Sequence, residues 1–196
     1  DSRSGAARGV MTLRLVPSTT FTLWAPTDEA DEADAAGDAG PSQLVNVSTD
    51  ELFAGKRVVV FALPTAFGPT CSTRHLPRYE ELYDEFKMLG VDEVYGLSVN
   101  DPFVMYEWGK ALGIDKVRLL PDGNGEFTRK MGMLVEKGNQ SCGLRSWRYA
   151  MFVEDGVITR IFVEDGFADN ASIDPLEFTD ADSMLNFMQT WREPLP

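Results

Sequence analysis

Cys71 is one of two cysteines in a chain of 196 residues, and its position suggests chemistry before any element is assigned. It follows an unbroken apolar run, Arg57 to Leu63 (RVVVFAL), across a proline-bearing loop, and stands where a periodic helical segment begins. Unpaired N–H groups in the first turn of a helix carry about half a positive charge, which favours a thiolate over a thiol. Such a setting lowers a cysteine pKa from about 8.5 toward or below neutrality and makes the sulfur a nucleophile. A cysteine at the same place can equally be a small buried hydrophobe, and position alone leaves both readings open.

The elements that must hold this sulfur alternate regularly. The apolar run reads as a strand covered on both faces. Leu76, Tyr79, Leu82, Tyr83, Phe86 and Leu89 recur at helical spacing up to Gly90, predicting one long amphipathic helix with a C-terminal stop. Val91 to Val99 returns to strand. Asp101 and Pro102 open a second helix bearing Val104, Trp108, Ala111 and Leu112, and Val117 to Leu120 is a third strand before the turn Asp122-Gly123-Asn124-Gly125. Asp155-Gly156 joins two further strands, Arg148 to Glu154 and Val157 to Val163. Thr179, with Asp182 three positions later, is read as the cap of a last helix. Upstream, Ser48 to Phe53 forms a capped helical turn, and apolar residues between Val10 and Trp24, interrupted by Pro17-Ser18-Thr19, predict a hairpin. The expected fold class is α/β, a mixed sheet with helices on both faces and an N-terminal β-hairpin extension. Ligand sites in such sheets lie beyond the carboxyl ends of the strands, where the loop after Leu63 falls.

Composition narrows the remaining classes. With 43% hydrophobic and 25% charged residues the chain suits one globular domain, expected over 19–192, preceded by an extension over 1–18. Its net charge of −13 argues against nucleic acid or an anionic membrane as partner, and no apolar run is long enough to span a bilayer. The segment 27–42 holds six acidic residues; it reads as a solvated loop, or as a docking tail for a basic partner, and its spacing matches no calcium loop. No metal and no cofactor is expected. Two cysteines are too few for a secreted disulfide framework and point to an intracellular compartment. An arginine-bearing start without a signal-peptide core fits a processed, organellar protein and fits a fragment end as well.

Pro64-Thr65-Ala66-Phe67-Gly68-Pro69-Thr70-Cys71-Ser72, continuing to His75-Leu76-Pro77, closely resembles the active-site segment of atypical, type II peroxiredoxins, the thioredoxin-fold thiol peroxidases. Leu97 to Val104, Leu120 to Phe127 and Arg145 to Tyr149 resemble further segments of that family in the same order, so the likeness spans roughly 19 to 191. The resemblance implies that Cys71 attacks hydrogen peroxide or an alkyl hydroperoxide and becomes a sulfenic acid, which a thiol donor reduces. It implies that Arg148 favours the thiolate and stabilises the breaking O–O bond, and that Pro64 shields the sulfur from water. His75 is then a packing residue, because a sulfur ionised by dipoles and a guanidinium needs no base.

Gly68 departs from the family, whose members carry Thr or Ser there to bond the sulfur and the peroxide. Losing that donor is worth about 3 kcal/mol, roughly two orders of magnitude in rate. Thr70 offers a hydroxyl nearby, and a gain of activity confined to a Gly68→Thr revertant would identify Gly68 as the cause of weakness. Cys142 does not fall where two-cysteine members place a resolving thiol, which correspond here to Gly96 and residues 167–171. A one-cysteine cycle served by glutathione, glutaredoxin or thioredoxin is therefore expected, with a Cys142 disulfide as the lesser alternative. Family members pair as dimers, for which Phe103, Tyr106 and Trp108 are candidates. The rival to a weakened peroxidase is a degenerate member kept as a subunit of a larger assembly.

Overall fold

The computed structural model describes residues 14–26 and 42–191. Its centre is a five-stranded sheet built on β3 (Arg57–Ala62), β4 (Glu93–Ser98), β5 (Arg118–Pro121), β8 (Tyr149–Glu154) and β9 (Val157–Val163), in the order β5-β4-β3-β8-β9. The β3/β4 and β4/β5 pairs are parallel, while β3/β8 and β8/β9 are antiparallel. The apolar run becomes the central strand because it has something to bury on each side. Val59, Phe61 and Leu63 enter a core with Leu76, Tyr79, Phe86, Trp108 and Met184, and Val58, Val60 and Ala62 enter another with Phe21, Leu52, Phe127 and Met151. Alternation along one strand thus serves two layers of cover.

Helices α1 (Thr49–Phe53), α2 (Leu76–Glu81), α3 (Tyr83–Met88), α4 (Pro102–Leu112), α5 (Glu126–Met131) and α6 (Ala181–Thr190) supply that cover. Ser48 makes the expected capping box with Glu51, and Asp101 accepts from the N–H groups of Phe103 and Val104. The single long helix foreseen after Cys71 is instead a π-helical turn over Cys71–His75 followed by α2 and α3, with a break at Leu82 (φ −91°, ψ 7°). The cap of α6 is Asp180, whose side chain accepts from the Ser183 N–H. Thr179 is buried one residue earlier, because its hydroxyl donates to Glu164.

The N-terminal hairpin exists with different partners. β1 (Thr20–Pro26) pairs antiparallel with β2 (Ser42–Ser48), across the acidic segment, while Leu15 bridges Val157 beside β9. Among the described residues, Leu15 and β1 thus lie on either side of Pro17 and pair with different segments rather than with each other. The expectations for 1–13 and for the acidic loop 27–41 lie outside the described residues. A small hairpin of β6 (Leu134–Glu136) and β7 (Leu144–Ser146) was not foreseen; three-residue strands are too short for periodicity to reveal. Among the described residues no helix is long and apolar enough to cross a membrane.

Candidate active site

The loop from Leu63 to Thr70 is fastened at several points. The Leu63 N–H donates to Leu97 O, the Ala66 N–H to Asn100 Oδ1, and the Gly68 N–H to Thr65 O. Ser98 also donates to Asn100 Oδ1, so the end of β4 holds the loop from below. Phe67 takes φ +61°, a left-handed backbone costly for a bulky residue, and leaves its ring exposed. On the far side of Cys71, the Trp108 indole N–H donates to Ser72 Oγ at 3.0 Å. Trp108 is therefore core and not available to a dimer interface, whereas Phe103 is half exposed and stands edge-on to Trp24.

Cys71 is only 1% exposed, yet it is not enclosed by apolar groups alone. Arg148 Nη2 lies 3.6 Å from its Sγ, although 77 residues separate the two in sequence. The same nitrogen donates to Asp174 Oδ1 at 2.6 Å, and Nη1 donates to His75 Nδ1 at 2.7 Å. A guanidinium has only donors, so His75 Nδ1 must accept and its proton must sit on Nε2, which donates to Thr179 O at 3.1 Å. Tyr79 donates to the same carbonyl. Thr179 is pinned in turn by Glu164, whose Oε1 accepts the Glu177, Phe178 and Thr179 N–H groups and the Thr179 hydroxyl. A buried polar relay thus runs from Glu164 through Thr179 and His75 to Arg148 and the sulfur.

The electrostatics differ from the simple helix-start expectation. Burial pushes the Cys71 thiol up and outweighs the rest; Arg148 and the Thr65 N–H pull it down, and Asp174 adds to the upward push. The sulfur is not drawn below neutrality in this closed geometry. Burial and the adjacent guanidinium hold His75 well below the ordinary histidine range, so it is neutral, as its acceptor role requires. Arg148 is 2% exposed, and its Nε has no hydrogen-bond partner in the structure.

Pro64 borders a narrow crevice together with Trp147, Arg148 and Asp174, which places it beside the guanidinium. Thr70 precedes the π turn with no capping bond from its hydroxyl. Cys142 is a separate free thiol on the β6–β7 connection, donating to Gln140 O at 3.3 Å. Gly96 has no room for a side chain, since a β-carbon there would lie 2.9 Å from Phe61 and 3.0 Å from Leu119. Asp174, Glu164 and Asn100 escaped the sequence reading. Isolated carboxylates and amides carry no local signal, although Asn100 lies inside one of the family-like segments. Among the described residues no cluster of His, Cys, Asp and Glu is arranged to hold a metal.

Known proteins share both the sequence and the architecture. The Redoxin family matches residues 25–187. Peroxiredoxin sll1621 of Synechocystis sp. is 54% identical over 184 residues, covering 94% of each chain. The crystal structure of the Plasmodium falciparum antioxidant protein, a 1-Cys peroxiredoxin, superposes with a TM-score of 0.82 at 32% identity, covering 91% of this chain and 99% of that one. Reduced Prx3 from Vibrio vulnificus in complex with H2O2 gives 0.74 at 35% identity, over 92% and 97%. With a sulfur, a guanidinium and a fastened loop at the carboxyl end of a thioredoxin-like sheet, the chain belongs to the peroxiredoxin family of thiol peroxidases.

Proposed function

We propose that Cys71 is the sulfur that reduces hydrogen peroxide or an alkyl hydroperoxide, with Arg148 as its electrostatic partner and Pro64 as part of the wall that keeps water out. The thiolate attacks one peroxide oxygen; the S–O bond forms as the O–O bond breaks, and the leaving hydroxide or alkoxide becomes water or alcohol by taking up the proton that Cys71 gave to solvent on ionising. The observation that carries this reading is the 3.6 Å approach of Arg148 Nη2 to Cys71 Sγ inside a nearly closed site. The guanidinium opposes the cost of burying the charged sulfur, and its unpartnered Nε is a donor left over for a peroxide oxygen.

The sulfenic acid is then reduced by two external thiol equivalents. The first condenses with it to a mixed disulfide and water, and the second releases Cys71 as a thiol. Glutathione, glutaredoxin or thioredoxin are the donors in view. The separate placement of Cys142 and the crowded surroundings of Gly96 support a one-cysteine cycle, and the Plasmodium relative is itself described as a 1-Cys enzyme.

Stopped-flow mixing of the reduced protein with H2O2 tests the assignment. Consumption of one equivalent of peroxide is expected, with loss of one titratable thiol and none in Cys71→Ser. If Cys71→Ser consumes peroxide as the native protein does, Cys71 is not the reacting sulfur. If neither reacts, the chain is a degenerate member serving as a subunit of an assembly.

A further inference from the structure

We infer that Glu164 is a positioning residue for the reaction at Cys71: it fixes the tautomer of His75 and, through that ring, the aim of Arg148, without touching the sulfur or the peroxide. The inference rests on Cys71 and Arg148 being the reacting sulfur and its electrostatic partner.

Between the end of β9 at Val163 and the start of α6 at Ala181 the chain forms neither helix nor strand, so no backbone ladder fixes the Thr179 carbonyl. Glu164 fixes it instead. Its Oε1 gathers the Glu177, Phe178 and Thr179 N–H groups and the Thr179 hydroxyl at 2.8–2.9 Å, while Oε2 has no partner, so the whole anchor runs through one atom. The same residue grips the other side of the site through its main chain. Its N–H donates to Arg148 O at 3.2 Å, and its carbonyl accepts the Trp147 indole N–H at 2.8 Å. One residue therefore ties the segment that carries the guanidinium to the turn that meets the imidazole.

The Thr179 carbonyl can only accept, so it selects the His75 ring form protonated at Nε2 and leaves the Nδ1 lone pair 2.7 Å from Arg148 Nη1. The opposite tautomer would point an N–H at a guanidinium that has donors alone. With Nη1 released, the remaining strong partner of Arg148 would be Asp174, which binds Nη2 at 2.6 Å, the nitrogen that approaches the sulfur. Glu164, Thr179 and His75 are all buried, so bulk water is not at hand to replace a lost bond.

His75 is the only histidine of the chain, so its two ring nitrogens can be read directly by nitrogen NMR of the isotope-labelled, reduced protein. A protonated Nε2 and a bare Nδ1 are expected in the native chain. In Glu164→Ala both tautomers should be populated, and the second-order rate of H2O2 consumption should fall roughly 10–100-fold. The pH profile of Cys71 alkylation should also move upward, because Arg148 loses its hold on the sulfur. Glu164→Asp, whose carboxylate stops one methylene short, should fall between native and alanine, and it carries the test should the alanine variant not fold. Glu164→Gln, which keeps an acceptor at full reach, should retain the native ring form and a rate within a few-fold. A Glu164→Ala or Glu164→Asp protein that loses rate with its ring nitrogens unchanged overturns the inference, since the loss is then structural only. So does a changed ring form at the native rate, a native rate and ring form together, or a Glu164→Gln protein as impaired as the shorter variants. A native protein no faster than Cys71→Ser, with ring nitrogens that still respond to Glu164, defeats the underlying site assignment instead.

Discussion

Two arginine–carboxylate pairs sit at opposite ends of the central strands. At the start of β3, Arg57 Nε meets Glu154 Oε1 at 3.2 Å with both side chains about one-third exposed, and its Nη1 spreads over the carbonyls of Leu89 and Gly90. At the start of β8, Arg148 meets Asp174 at 2.6 Å with the guanidinium 1% exposed, and divides its remaining donors among His75, the sulfur and no partner at all. The first pair is screened by water and tidies a strand end. The second is buried, under-satisfied and turned toward the Cys71 sulfur. Like residues do unlike work because desolvation sharpens every charge around Arg148 and because one donor is left unused.

The contrast is sharpest in activity. Arg148→Met should slow peroxide consumption by roughly 10²–10³-fold, and it removes the main pull against burial, so the pH profile of Cys71 alkylation should move upward. Arg57→Met should leave the peroxide rate unchanged; a comparable loss there would mean that global stability, not local charge, governs the site.

In stability the order of the carboxylates should follow their burial. Glu164→Ala strands four donors around Thr179 and should lower unfolding free energy by about 3 kcal/mol in urea titration. Glu154→Ala at the exposed end should cost about 0.5 kcal/mol. Equal losses would show that the relay is not held by Glu164.

A smaller effect separates the two ends by pH. The unfolded chain protonates His75 at about 6.5, whereas the folded imidazole stays neutral well below that. The unfolded state therefore binds more protons in that window. Stability is complete above about 6.5 and falls as the pH drops toward the folded value. His75→Asn, which keeps an acceptor for Arg148 and cannot titrate, should flatten that decline in denaturant midpoints measured across the window. The same slope in native and variant would assign the proton uptake to another group.

The mildest change is Asp174→Asn. Removing the negative charge takes away an upward push on the thiol while the amide oxygen can still accept from Nη2, so iodoacetamide alkylation should shift to lower pH. An upward shift would show that Asp174 mainly positions Arg148.

Much of the frame was legible because its signals are local. The run from Arg57 to Leu63, the Ser48 and Asp101 caps, the Asp155-Gly156 turn and the cysteine between strand and helix are all short-range statements about backbone and burial. The resemblance around Cys71 then named Arg148 and Pro64, and the structure brings Arg148 to the sulfur. What the sequence left unread is long-range or collective. β1 chose β2 over the segment before it, and Asp180 displaced Thr179 as a cap once Glu164 claimed the threonine.

The residues themselves thus determined the α/β frame, the family and a cysteine set between strand and helix, since periodicity, capping and motif are written within a few positions of one another. Only the folded molecule decided what surrounds that sulfur and which groups hold the arginine beside it. Those depend on groups brought together from 26 to 77 positions away and on how little water remains between them, because a low local dielectric sets the strength of each interaction.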